Sequence, residues 1–260
     1  MTPSPIVTPW DARAFARGAT MALLCLGLVA AVTAASDEGG LAWGVRAGRT
    51  LPLAPVCAAV GAWLALAPAR ARGDDLALET LGRSPWQRHA AAVLGGAVVA
   101  AAAALVVALS SRVDIEGFYP RAEATLRWHF DGASFLTEDR HWRIALDGTP
   151  TLLPGAAEAA PSSLPRAARA AAALSTALAG LGLPVLAAQA RSRADVLRGL
   201  GKLATTALLT ILAFQAAAAA RIPALVAPLP SLLLLAWAAS GYRSRASAAT
   251  RAAGSVREGR

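Results

Sequence analysis

Three histidines, two cysteines and a single lysine are the first side chains of this 260-residue chain to test for chemistry. The triplet His129, Phe130 and Asp131, with His141 beyond it, comes nearest to a metal-ligand set. No pair has a strong ligand spacing, however, and a solvated sheet surface is the expected role. Cys25 and Cys57 lie inside apolar runs, so neither a disulfide framework nor a spaced zinc site is available; both read as small core residues. Serines and threonines are plentiful, yet no nucleophile elbow occurs, and no histidine falls within the apolar blocks where an intramembrane hydrolase would need one. The run Gly199 to Leu203 around Lys202 lacks the upstream glycine and the following Ser or Thr of a phosphate-binding loop. The expectation is a chain with no catalytic residue, no metal and no cofactor of its own. If ATP is used, a partner binds it.

What must position any functional residue is a set of apolar blocks. Hydrophobic residues make up 56% of the chain and the mean hydropathy is +0.48. The charges cluster between blocks long enough to cross a hydrocarbon core of ~30 Å. Six blocks run from Ala19 to Ala35, Leu51 to Ala69, Ala90 to Ser110, Ala170 to Gln189, Leu203 to Ala220 and Ile222 to Gly241. They read as six transmembrane helices of an α-helical integral membrane protein. The first could serve as a cleaved signal sequence, with Arg13 and Arg17 before it and small residues after it; its length and the spans that follow point to retention.

A net charge of +9 and a pI of 11.2 would suggest nucleic acid in a soluble domain. Here the basic residues flank apolar blocks, which is the distribution that orients membrane proteins, so no nucleic-acid partner is expected. Arg13 and Arg17, then Arg70, Arg72, Arg83 and Arg88, then Arg191, Arg193, Arg198 and Lys202, then the tail 243–260 all fall on one side. That side is expected to be cytoplasmic, with both termini on it. Pro223, Pro228 and Pro230 predict an extended hairpin leading into the last span, and Pro184 a kink in the fourth.

Residues 1–111 thus hold three spans and 170–242 the other three. Between them, 112–169 forms the one sizeable outside module. Runs at 122–130, 133–138 and 141–146 alternate partially and are separated by turn signals, which predicts a small antiparallel sheet of three strands. The proline-, alanine- and serine-rich remainder reads as linker. Phe118, Tyr119 and Trp128 are expected at the membrane interface.

The stretch from Arg70 to His89 joins the second and third spans. Gly73 or Asp74 can cap a short helix, Asp74 and Asp75 suit its amino-terminal dipole, and Gly82 supplies a left-handed end. Ser84 and Pro85 then start the third span. On the short helix Leu76, Ala77, Thr80 and Leu81 share one face and Asp75 and Glu79 another. Like charges four residues apart cost about 0.2 to 0.5 kcal/mol, so the acidic face gains most from an external basic partner. A solvated loop and a handle gripped from outside both fit these residues.

The run 51–89, "LPLAPVCAAVGAWLALAPARARGDDLALETLGRSPWQRH", and the run 221–245, "RIPALVAPLPSLLLLAWAASGYRSR", resemble motifs of the LptF/LptG permease family, the membrane subunits of the ABC transporter that extracts lipopolysaccharide from the bacterial inner membrane. The resemblance implies six spans, a periplasmic β domain between the third and fourth, and a cytoplasmic coupling helix at 74–82. It further implies that a separate ABC ATPase dimer contacts Asp74, Asp75, Glu79, Gly82 and Arg83. A second six-span subunit, identical or paralogous, a periplasmic bridge protein and a lipid substrate complete the set of partners. Three features depart from the family. The outside module is far shorter than a full jellyroll, Asp74 stands where Glu is usual, and Asp37 and Glu38 stand where family members present basic residues to lipid phosphates. Arg46 and Arg49 are the candidates to contact lipid phosphate instead. An ABC-2 type exporter subunit and a non-transporting envelope scaffold are the alternative readings.

Overall fold

The computed structural model describes residues 8–36, 41–115, 118–119, 128–132, 134–137, 142–152, 166–190 and 192–242. Asp37, Glu38, His141, Arg191, most of the proposed linker and the tail from Arg243 lie outside the described residues.

Three of the long helices begin where a capping side chain meets the first turn. Thr8 and Asp11 cap α1 (Pro9–Ala35) reciprocally: the Thr8 hydroxyl accepts from the Asp11 amide, and the Asp11 carboxylate accepts from the Thr8 amide. α2 (Trp43–Thr50) continues through one 3-10 turn at Leu51–Leu53 into α3 (Ala54–Arg72). A short α4 (Asp74–Thr80) follows, then α5 (Pro85–Leu109), which starts at the capping box of Ser84 and Gln87. α6 (Arg166–Gln189) and α7 (Arg193–Ala218) lead to a last span at Ala224–Tyr242. Among the described residues, six helices are therefore long and apolar enough to cross a membrane, the second being Trp43–Arg72. The fold is mostly helical, as an α-helical membrane protein requires, and its sheet is a minor feature.

The last span does not begin as an extended hairpin. Ala220 takes a left-handed turn (φ 56°), a 3-10 turn occupies Ala224–Val226, and regular helix covers 229–242. Pro230 falls on the second helical residue, where its missing donor is not needed, so the prolines shape the start of the helix without breaking it. Pro184 is fully buried within an unbroken α6.

α1, α3, α5 and α6 form a four-helix core in which α1 and α6 each touch α3 and α5, and α3 crosses α5. Small residues make this possible. A Cβ on Gly61 of α3 would sit 2.6 Å from the Ala22 amide nitrogen of α1, and Gly18, Gly95 and Gly96 are likewise closed in by neighbouring backbone. Lipid tails are as apolar as leucine, so van der Waals contact between closely approaching backbones is what holds such helices together. The last span lies against α6, where Ser175 and Ser231 share a buried hydrogen bond of 2.9 Å and the Gln189 amide donates to the Ala238 carbonyl at 2.7 Å. α7 runs along the edge and buries only Thr206 and Phe214.

At the end of the bundle bearing the sheet, one guanidinium seals the carbonyl terminus of α5. Arg169 donates to the carbonyls of Val107 (3.0 Å), Ser110 (2.6 Å) and Val113 (3.0 Å). The rings of Phe118 and Tyr119 pack on Phe214 at 5.5 and 5.1 Å. The Tyr119 hydroxyl donates to the Ala168 carbonyl, and burial pushes its pKa up to about 12. Trp128 is described only as the first residue of a strand. Gly44 and Gly48 of α2 lie against the backbone of Arg112 and Asp114, which brings α2 under the start of the outside module.

The sheet has four antiparallel strands in sequential order, one more than the alternation predicts: β1 (Trp128–Phe130), β2 (Ser134–Thr137), β3 (Trp142–Ala145) and β4 (Pro150–Leu152). The fourth comes from residues read as linker. Asp147 and Gly148 (φ 84°) turn the chain, the Asp147 carboxylate accepts from the Thr149 amide, and Pro150 pairs opposite Ile144. A proline is tolerated there because β4 is an edge strand.

Candidate functional site

The residues between the second and third spans gather at the arginine-rich end, opposite the sheet. Gly73 ends α3 and opens α4 in the left-handed conformation (φ 77°), and Gly82 (φ 79°) closes the short helix. The helix is thus a separate seven-residue lever held between two glycine turns, with Leu81 and Gly82 in the closing turn.

Its acidic side chains pair with neighbouring helices, Asp75 partly buried and Glu79 still exposed. The Arg88 guanidinium, only 3% exposed, donates to the Glu79 carboxylate at 2.9 Å and to the Asp75 backbone carbonyl at 3.0 Å. His89, equally buried, lies 3.4 Å from the Asp75 carboxylate through Nε2 and 3.3 Å from the Tyr242 hydroxyl through Nδ1. Asp74 accepts from Arg72 at 2.8 Å. Arg83 donates to Asp11 at 2.8 Å and to the Thr8 hydroxyl at 3.2 Å, and its guanidinium lies 5.9 Å from the centre of the Trp10 ring. The Asp11 carboxylate raises the Arg83 pKa above its ordinary value.

Every predicted acidic residue of the segment therefore has a side-chain partner within the chain. Arg72 of α3, Arg88 and His89 of α5 supply them, and Arg83 ties the same turn to α1. Contacts within the chain thus offset the like-charge cost of Asp75 and Glu79. The opposite face is the free one: Leu76 is 68% and Leu81 79% exposed, and Ala77 and Thr80 are exposed beside them. An apolar face turned outward on a helix that joins two spans is unusual for a solvated loop.

Two further contacts tie this end together. Arg70 donates to the carbonyls of Ala188 and Ala190, covering the terminus of α6 as Arg169 covers that of α5 at the other end. Tyr242 packs edge-on against Trp86 at 5.4 Å, which brings the end of the last span to the start of α5. The sequence carried a signal for Asp11, whose spacing from Thr8 is that of a capping box. Nothing local marks Tyr242 or His89 as partners, because they are 153 residues apart.

The structure does not bring Arg46 and Arg49 to this site. Both sit on α2 at the sheet end, Arg46 half-buried and Arg49 exposed. An open cleft of about 380 Å³ at that end is lined instead by Arg166, Arg169 and the end of α5. Among the described residues no group of three or more His, Cys, Asp or Glu side chains could hold a metal ion. No protein-family model matches the chain, and no curated protein matches it.

Proposed function

We propose that the chain is the permease subunit of an ABC-type transporter that extracts a lipid, lipopolysaccharide or a related species, from the bacterial inner membrane. A separate ATPase dimer supplies the energy. The observation that carries this reading is the arrangement of α4: its acids pair with α3 and α5, Arg83 just beyond it ties to α1, and Leu76 and Leu81 face outward. A partner that seats Leu76 and Leu81 in an apolar groove can push on the helix, and the ion pairs pass the push to three spans at once. Asp74, Asp75, Glu79 and Arg83 then act as positioning residues and Gly82 as the turn, while the leucines make the contact.

The positive-inside distribution puts α4 and both termini in the cytoplasm and the sheet in the periplasm. Resemblance to LptF/LptG supports lipid as cargo. A second six-span subunit has room against the outward faces of α1 and α7, where Leu24, Leu28, Leu208 and Ile211 are exposed. Lipid phosphate would meet Arg46 and Arg49, or the cleft beside Arg166, at the periplasmic face, and a bridge protein would meet the sheet.

The test is reconstitution of the full chain with its ATPase in proteoliposomes. L76D/L81D is expected to lose ATPase association and lipid extraction while keeping the wild-type elution volume and thermal stability. Unchanged association in that variant overturns the coupling role and favours a scaffold.

A further inference from the structure

A second feature of the arginine-rich end is untouched by the coupling reading. Between the first turns of α1 and the last turns of α3 lies a cleft of about 100 Å³, with Trp10, Arg13, Arg17 and Arg72 around its walls. Its floor is Ala14, Ala65 and Ala69, all buried. Alanine leaves the space between the helices unfilled, so the arginines surround a hollow and do not cover a packed surface.

The depth of the cleft matches a lipid phosphate. Residues 18–35 of α1 carry no charge, and at roughly 1.5 Å per residue they span about 27 Å, close to the ~30 Å hydrocarbon core. Arg17 therefore stands at the edge of the hydrocarbon, Arg13 one turn further out, and Trp10 at headgroup level, where amphipathic rings concentrate. On the facing wall the apolar run of α3 ends at Ala69, just before Arg70 and Arg72.

Charge points the same way. The other arginines described around α4 are engaged: Arg70 with α6 carbonyls, Arg83 with Asp11, Arg88 with Glu79. Arg13 and Arg17 make no hydrogen bond or ion pair among the described residues, and both are exposed. Arg72 shares its charge with Asp74. Three guanidinium groups against one carboxylate leave the cleft with two positive charges in excess, and guanidinium pairs suit phosphate oxygens through parallel N–H donors.

We propose that this cleft is a binding site for the phosphate headgroup of an anionic phospholipid in the adjacent leaflet. The site lies at the opposite end of the bundle from Arg46 and Arg49 and does not depend on the transport reading. Because Arg72 bridges to the first residue of α4, the bound headgroup completes the charge balance beside the lever.

The experiment is native mass spectrometry of the full chain in neutral detergent, titrated with phosphatidylglycerol, phosphatidylcholine or inorganic phosphate. Phosphatidylglycerol adducts are expected to persist and phosphatidylcholine adducts to be stripped at low activation energy. R13Q/R17Q should weaken phosphatidylglycerol binding by about tenfold or more, with the lipid-free melting temperature unchanged. R193Q/R198Q, at the same end but outside the cleft, should bind as the wild type. Equal loss in the two double variants would reduce the effect to general surface charge and overturn the site. Retained binding in R13Q/R17Q, or full displacement of the lipid by equimolar inorganic phosphate, would overturn it too. The single variant R17Q, whose side chain supports no other contact, serves if the double variant does not fold.

Discussion

α6 and α7 are consecutive spans of similar length, yet 56% of the apolar window of α6 is buried within the bundle and only 6% of that of α7. Hydropathy does not explain the contrast, because α1 is more apolar than α6 and is only 11% buried. Side-chain size does. α6 turns Ala171, Ala172, Gly180 and Gly182 towards its neighbours, whereas α7 carries Leu197, Leu200, Leu208 and Ile211 on its outward surface. In a bilayer a leucine gains little by moving from lipid to protein, but a glycine lets two backbones meet. Core and periphery are therefore distinguished by what is missing from the side chains.

The sharpest way to break this contrast is to add volume at matched positions. Gly61→Leu should prevent the α1–α3 contact and yield aggregated protein on size exclusion in detergent, while Gly199→Leu on α7 should elute as the wild type. Equal behaviour of the two would end the distinction. A smaller effect is expected at the one large side chain that anchors α7. Phe214→Ala removes the ring between Phe118 and Tyr119 and should cost about 3 kcal/mol, read as a melting temperature lower by several degrees. An unchanged melting temperature would mean that α7 is held by its loops alone. The mildest substitution runs the other way: at Gly199 nothing lies within 4 Å of a new Cβ, so Gly199→Ala should stabilise α7 by up to about 1 kcal/mol. Destabilisation there would show that α7 has a close neighbour in the membrane.

The six spans were legible because uncharged length is a local property, and the caps at Ser84, Gly73 and Gly82 were legible for the same reason. Which way a helix faces is not local. The outward turn of Leu76 and Leu81 depends on Arg88 and His89, which sit on the next helix and reach back across the Gly82 turn. Phe118 and Tyr119 have the composition of an interfacial pair; a ring from α7, nearly a hundred residues later, draws them inside. β4 was hidden by Pro150, which argues against a strand except at an edge, and no local pattern says which strand will be the edge. Arg46 and Arg49 have the right charge for a phosphate, but α2 and the first turn of α6 divide the basic residues of that end between them.

Arg169 carries a consequence for biogenesis. The carbonyls of Val107, Ser110 and Val113 emerge from synthesis more than fifty residues before the arginine that satisfies them. Until the fourth span arrives, the Ser110 carbonyl has the Val113 amide as a donor, but the guanidinium that joins all three carbonyls is missing. The latch between α5 and α6 therefore closes only after the whole intervening module has been made.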